Sequence, residues 1–216
     1  MRKDFVFAQN RHRDSISHGE MNMEFLPVCL NGQKVYAGFW RRLCSFYVDV
    51  LIIVPVNIFF VWLEGFDRTL AIFIVVLSSM LFAMYTVFFN ARFGGTPGKL
   101  ALGIRITKPD GARIGWKEAW KRSAVDLVFC LFFLVLRVWA LLLVEPGDYA
   151  SMKWVQRGSL VLKYYPDSYH TIQIFQNIWI WSEFVVLLFN PRKRALHDFI
   201  AETVVIKKNF VKQQID

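Results

Sequence analysis

Four apolar runs of nearly equal length dominate this chain. They are "CSFYVDVLIIVPVNIFFVWL" from Cys44 to Leu63, "LAIFIVVLSSMLFAMYTVFF" from Leu70 to Phe89, "SAVDLVFCLFFLVLRVWALLLV" from Ser123 to Val144, and "TIQIFQNIWIWSEFVVLLF" from Thr171 to Phe189. Each is close to the ~20 helical residues needed to cross ~30 Å of hydrocarbon. Inside a bilayer every backbone N–H and C=O must be satisfied within the protein, which selects helices for such runs. A soluble domain tolerates one segment of this kind, not four. The composition agrees, because 55% of the 216 residues are hydrophobic and soluble surfaces need more polar cover than that. The expected fold class is therefore all-α transmembrane, a four-helix bundle with helices at about 44–63, 70–89, 123–144 and 171–189. A polar, flexible segment at 1–35 precedes a membrane domain at 36–208, and a tail at 209–216 follows it.

The net charge of +9 is unevenly placed. Counting Lys and Arg, the stretch before the first run holds seven, the loop at 90–122 eight and the tail after 189 six, against four in the loops at 64–69 and 145–170. Basic loops stay in the cytoplasm, so both termini are expected there. No basic stripe lies on a polar element, which argues against nucleic acid as the use of this charge. Trp40, Trp62, Trp116, Trp120 and Trp139 fall where helix ends meet headgroups, as interfacial tryptophans do. Scattered Cys29, Cys44 and Cys130 form no CxxC pair, and four dispersed histidines suggest no metal site. No cofactor is expected. The N-terminal stretch has no apolar h-region, so no cleaved signal peptide is expected.

The Gly-rich phrase "FNARFGGTPGKLALGIRI" at 89–106 invites comparison with a P-loop, which reads G-x-x-x-x-G-K-[ST]. Here Leu100 follows Gly98-Lys99 and Phe93 takes the first glycine's place, so the phosphate-binding reading fails at two required positions. The stretch reads instead as a membrane exit. It has a counterpart one hundred residues later, "FNPRKRALHDFIAETVVI" at 189–206, with five identities in eighteen ungapped positions. Both copies follow a helix that returns to the cytoplasm, and a basic stretch with an aspartate opens the preceding helix in each half. A parallel duplication of helix, helix and strand results, with an expected pseudo-two-fold axis along the membrane normal. "ALGIRIT-KPDG-ARIG" predicts a hairpin over 101–114 around a Pro-Asp-Gly turn, and "ETVVIKK" a strand over 203–208. Together they predict a small cytoplasmic β-sheet, with 103–107 and 203–207 in one ladder.

Three phrases in this order, "AGFWRRLCSFYVDVLI", "GGTPGKLALGIRI" and "RALHDFIAETVV", resemble the RDD family of integral membrane proteins over roughly residues 36–206. The family is named for one arginine and two aspartates, and the resemblance assigns these to Arg42, Asp49 and Asp198. The charged first 35 residues and the long loop at 145–170 fall outside the pattern. The resemblance implies the four-helix fold, and transport of a ligand is the activity suggested for the family.

Charged groups within the bilayer cost ~2.5 kcal/mol or more at the helix centre and so point to function. Asp49, Asp126, Glu183 and Arg137 qualify. Arg42 and Asp49 share a helix face but stand ~10 Å apart along the axis, too far for an intrahelical pair. Arg122 and Asp126, four apart, have the spacing of a direct pair. Gln173, Gln176, Asn177 and Glu183 form a polar stripe expected to face the interior. Arg137 is expected to snorkel outward as an anchor. Asp198, beside His197, is expected to engage nearby arginines and hold the tail to the bundle. No nucleophile motif suggests an enzyme.

Two readings stay open. One is binding or transport of a small ion or solute through Arg42, Asp49, Arg122, Asp126, Glu183 and Asp198. The other is a non-catalytic accessory or scaffold subunit of a larger membrane complex, the same polar groups then fixing helix packing. Partners are the lipid bilayer of a bacterial cytoplasmic membrane and a homo-oligomer or larger complex. Cysteines placed at Asp67 and Ser159 are expected to react with an impermeant thiol reagent from outside, and one at Lys108 is not. Labelling of the Lys108 site in sealed cells would end the four-span topology.

Overall fold

The computed structural model describes residues 25–30 and 32–211. Most of the expected flexible segment at 1–35 and most of the tail at 209–216 lie outside these residues. The four long helices are α1 (Phe39–Glu64), α2 (Arg68–Phe93), α4 (Trp116–Leu143) and α7 (Ser168–Phe189). All four are long and apolar enough to cross a membrane. They contain the expected runs, except that Val144 falls just past the end of α4, and they begin earlier, because amphipathic turns such as "FWRR" and "WKEAWKR" continue the helix below the apolar stretch. Pro55 lies inside α1 without ending it, and Asn57 donates to the carbonyl of Ile53 nearby at 3.2 Å. The helices α2 and α4 pack most extensively against each other.

Two short helices, α3 (Pro97–Ala101) and α8 (Leu196–Ile200), follow α2 and α7 and lead into strands β3 (Ile104–Thr107) and β4 (Val204–Lys207). A preceding two-residue ribbon pairs β1 (Cys29–Leu30) with β2 (Gln33–Lys34). β3 and β4 are antiparallel, with Ile104 opposite Lys207 and Thr107 opposite Val204. Adding one hundred to each residue of β3 gives β4, and exchanging the two copies maps this ladder onto itself. That register is what a two-fold relation between the duplicated halves requires. Residues 35–37 lie along the other edge of β4, where Ala37 N donates to Val205 O at 2.9 Å and Lys207 N to Val35 O at 3.0 Å.

The expected hairpin over 101–114 forms only in part. Its Pro-Asp-Gly turn is present, with Gly111 at φ +89 and Lys108 N bonded to Ala112 O at 2.8 Å. The first arm begins in α3, and the return arm makes a single bridge, Thr107 to Arg113. The chain has no room for more, since Gly115 already opens α4 and its N–H is held by Glu118 Oε2 at 2.8 Å. β4 supplies the ladder instead.

The segment at 145–170, expected as a loop, is a helical cap over the opposite end of the bundle. It contains α5 (Pro146–Ser151) and α6 (Trp154–Lys163). Tyr149 and Val161 are buried there with Ala71, Val75, Ala140, Leu141 and Val144. A second buried region lies at the sheet end, where Ile104, Ile106 and Val205 pack with Ala37 and Ile114. Between the two ends most helix side chains face outward, as lipid-facing residues do.

The Gly-rich phrase has a packing role. Gly94 ends α2 at φ +73, its N–H bonded to Asn90 O at 3.0 Å, a conformation glycine adopts without a Cβ penalty. Thr96 then precedes Pro97, which stands at the first position of α3, where the lack of an N–H costs nothing. Gly98 follows and presses against α1, where a Cβ would lie 2.2 Å from the carbonyl oxygen of Ser45. Gly98→Ala must push α1 and α3 apart, and overpacking of this kind costs about 1–3 kcal/mol. A thermal midpoint roughly 5–10 °C lower is expected in detergent-solubilised protein. An unchanged midpoint would show that this contact does not hold the two helices together.

Candidate functional site

Asp198 is fully buried at the start of α8. Its Oδ2 accepts from Arg42 Nη1 at 2.8 Å and from Ala195 N at 2.9 Å. Its Oδ1 accepts from Arg122 Nη1, and Thr203 Oγ1 lies at 3.4 Å. Arg42 comes from α1 and Arg122 from α4, so one carboxylate joins the first helix of each half to the C-terminal segment. Arg42 Nη2 also donates to Lys193 O at 2.5 Å. Arg194 donates through Nη2 to Asp198 O at 2.9 Å and through Nε to Thr203 O at 3.1 Å. Burial alone would raise the Asp198 carboxyl, but the guanidinium groups of Arg122 and Arg42 outweigh it and hold the group well below the usual carboxylate range.

The expected pair of Arg122 and Asp126 does not form. Arg122 turns to Asp198, to Thr203 Oγ1 at 2.8 Å and to His197 Nε2 at 2.5 Å, because the buried carboxylate offers a better partner than the exposed Asp126. Asp126 accepts instead from Trp179 Nε1 at 3.0 Å. Glu183 accepts the backbone N–H of His197 at 3.2 Å and pairs with its Nδ1. An arginine can only donate, so Nε2 of His197 accepts and Nδ1 carries the proton given to Glu183. The ring is thus aimed at Glu183 and Arg122, and its Nε2 also comes within 3.7 Å of Asp198.

Asp49 lies apart from this cluster. It accepts from Tyr85 Oη at 2.9 Å, Thr96 Oγ1 at 2.5 Å and Gly98 N at 2.7 Å. All three partners are neutral donors, two of them from the turn after α2. In Asp49→Asn the amide oxygen can still accept from Tyr85 Oη and Gly98 N, but the amide nitrogen only donates, so the Thr96 hydroxyl must turn from donor to acceptor. Of the six residues singled out in the sequence, the structure brings Arg42, Arg122 and Asp198 into direct contact. Glu183 joins them through His197, while Asp126 and Asp49 make separate bonds.

A cavity of about 280 Å³ opens beside the Arg42–Asp198–Arg122 clasp between α1, α4 and α7, lined by Arg42, Lys99, Arg122, Asp126, Trp179, Glu183 and His197. Phe46, Ile180 and Phe184 form its apolar wall. At the cap end of the same three helices lies a second cavity of about 260 Å³, lined by Glu64, Arg137, Tyr149, Arg157, Tyr165 and Tyr169. Here Arg137 is not a free anchor, since its Nη2 donates to Glu64 Oε2 at 2.5 Å. Glu64 ends α1 at the depth where Arg137 emerges from α4, so the ion pair replaces snorkelling. The polar stripe of α7 divides: Gln176 and Glu183 are half-buried, while Gln173 and Asn177 are exposed rather than interior.

Sequence reasoning missed Glu64, Lys99, Tyr85, Thr96, Trp179 and His197 as members of these sites. Glu64 stands at a helix end and reads as interfacial, and Lys99 reads as part of a turn. His197, next to Asp198 in "RALHD", carried the one usable signal.

Four membrane-crossing helices around buried arginine–carboxylate contacts define an integral, multi-pass membrane protein. The chain belongs to the RDD family, whose family model matches residues 36–202 and so includes the cap. It is 32% identical over 100 residues to the uncharacterized protein YckC of Bacillus subtilis (strain 168). That alignment covers 45% of this chain, and the chain spans 64% of that relative's length. No solved structure matches.

Asp198→Asn leaves two buried guanidinium groups without their counter-charge, and breaking such a contact costs about 3–5 kcal/mol. A depressed carboxyl contributes stability in full above its unfolded pKa of about 3.9 and loses it as pH falls through the lower folded value. The wild-type thermal midpoint should therefore lose this contribution only in strong acid, while Asp198→Asn is destabilised throughout the neutral range. A variant with the wild-type midpoint at pH 7 would remove the clasp from the list of stabilising contacts.

Proposed function

We propose that this protein binds a small ion or solute in the sheet-end cavity and passes it along the α1–α4–α7 seam, without catalysing a reaction. The observation that carries the reading is the alignment of two charged cavities on one seam. On α4, Asp126 lines the first and Arg137 the second, eleven residues and about 16 Å apart at 1.5 Å per residue. Charged side chains at both ends answer a requirement of any polar ligand, which must meet compensating groups wherever it leaves water. The 21-to-4 division of Lys and Arg between the two sets of loops supports a cytoplasmic sheet end, with both termini on that side.

Asp49 and Asp198 serve this reading by fixing the walls. Asp49 ties α1 to the α2–α3 turn, and Asp198 ties α1 and α4 to the tail. The groups left to meet a ligand are those facing the cavity, Asp126 foremost, because it makes only the bond from Trp179 among the described contacts. A second reading, an accessory or scaffold subunit, draws on Gln173 and Asn177. Their exposed amides sit at membrane depth on α7, where a partner helix, from a second copy or another protein, would satisfy them.

The test is flux. In proteoliposomes loaded with sodium or proton indicators, wild-type protein should pass one of these ions. Asp126→Asn should fold with a wild-type midpoint and lose at least about ten-fold in rate, the loss expected when a charged contact is removed. If the wild type passes neither ion and a stoichiometric partner co-purifies in mild detergent, the accessory reading replaces this one.

A further inference from the structure

A separate pocket of about 140 Å³ lies beside β3, lined by Arg92, Phe93, Gly94, Arg105, Thr107 and Arg113. It shares no residue with either cavity on the α1–α4–α7 seam, so it stands apart from the proposed ion path. Backbone geometry brings its polar groups together. Residues two apart on a strand share a face, which places Arg105 and Thr107 side by side on β3. Arg113 stands opposite Thr107 in their single bridge and joins the same face. Arg92 comes from the last turn of α2. Among the described residues no carboxylate lines the pocket, and none of these three arginines has a side-chain hydrogen bond or ion pair. The acids nearest Arg113 in sequence are engaged elsewhere. Glu118 accepts from Gly115 N at 2.8 Å and pairs with Lys108 at 3.4 Å, and Asp110 accepts from Ala112 N at 2.9 Å. The carbonyls ending α2 are taken too, since Phe89 O, Asn90 O and Gly94 O accept from Gly95 N, Gly94 N and Ile106 N. Two buried atoms, Arg105 Nε and Thr107 Oγ1, are left without a partner, and Thr107 is only 1% exposed. Each unpaired buried group is costly, which calls for an acceptor from outside the chain.

Three guanidinium groups and a hydroxyl, arriving from three segments, suit a tetrahedral oxyanion whose oxygens point in different directions. The volume admits a phosphate group and leaves the rest of a lipid outside. What lies outside is aromatic. Phe93 is exposed at the rim, and the exposed Phe88 continues this surface, its ring centroid 6.0 Å from that of Phe93 and 6.2 Å from that of Trp116. Exposed aromatics where helices leave the bilayer mark the headgroup level, and basic pockets at that level take anionic headgroups. We propose that Arg92, Arg105, Thr107 and Arg113 bind a phosphate group, presented by an anionic phospholipid of the leaflet at the sheet end or as the free anion.

Native mass spectrometry of the purified protein tests this with three probes: phosphatidylglycerol, phosphatidylcholine and inorganic phosphate. Wild-type protein should retain phosphatidylglycerol in preference to phosphatidylcholine. The exposed Arg113 can be changed without disturbing the core, and Arg113→Gln should lose about ten-fold in that retention, the effect of deleting one charge-assisted hydrogen bond. Lys121→Gln removes an equal charge from an exposed position on α4 outside the pocket and should keep the wild-type retention. Thr107→Val should keep the wild-type thermal midpoint, since its hydroxyl gives up no bond within the protein, yet lose about five-fold in retention. A hydroxyl with a merely structural role would not show that split. Phosphate that displaces phosphatidylglycerol only at large excess identifies the lipid as the source. Phosphate that binds through Arg113 while neither lipid is preferred identifies the free anion. Equal retention of both lipids with no phosphate bound overturns the proposal, and so does a loss in Lys121→Gln as large as that in Arg113→Gln.

Discussion

One carboxylate holds the two halves of this protein together. Asp198, with no solvent exposure, receives Arg42 from the first helix of one half and Arg122 from the first helix of the other. In a bilayer the hydrophobic effect does little to press helix against helix, since lipid tails are as apolar as leucine. Directional contacts must supply the specificity. Two guanidinium groups converging on one acid fix the separation, tilt and rotation of α1 and α4 together. The β3–β4 ladder and residues 35–37 then close beneath that junction. A buried ion pair of this kind is weak evidence for net stability against an apolar alternative, but removing one member leaves uncompensated charge. The clasp therefore defines the arrangement more than it deepens the energy well.

A second, quieter junction does the same for α1 and α2. Asp49 accepts three neutral donors, and the missing side chain of Gly98 lets α3 approach the Ser45 carbonyl. The Thr96-Pro97-Gly98 run thus combines a hydroxyl, a fixed φ and an absent Cβ at consecutive positions. Asp49 and Asp198 have different chemistry. Asp198 faces cations and Asp49 faces only dipoles, so substitutions at the two positions remove different things.

Much of this was legible in the residues. The four helices follow from the length of the apolar runs, and the β3–β4 pairing follows from the repeat one hundred residues apart. What escaped was set by tertiary choice. Arg122 had Asp126 one turn away and bonded Asp198 instead, since helical spacing shows only which groups can meet, not which partner is better. The cap at 145–170 read as a loop because its apolar positions are sparse, yet Tyr149 and Val161 complete a core that Ala71 and Ala140 leave open. The stripe of α7 failed as a burial signal for Gln173 and Asn177, because amphipathicity in a membrane does not say which face meets protein.

The register of β3 against β4 also bears on how the chain is made. Ile104 pairs with Lys207 and Thr107 with Val204, so roughly one hundred residues separate the partners. At translation rates of about 5–20 residues per second, β3 emerges several seconds before its ladder exists. Asp198 is equally late, and until it arrives Arg42 and Arg122 have no buried acid to meet. The first two helices must therefore wait in the bilayer as a half-finished pair, their strand edge unprotected, and the final lock is delivered only by the segment that follows the fourth long helix.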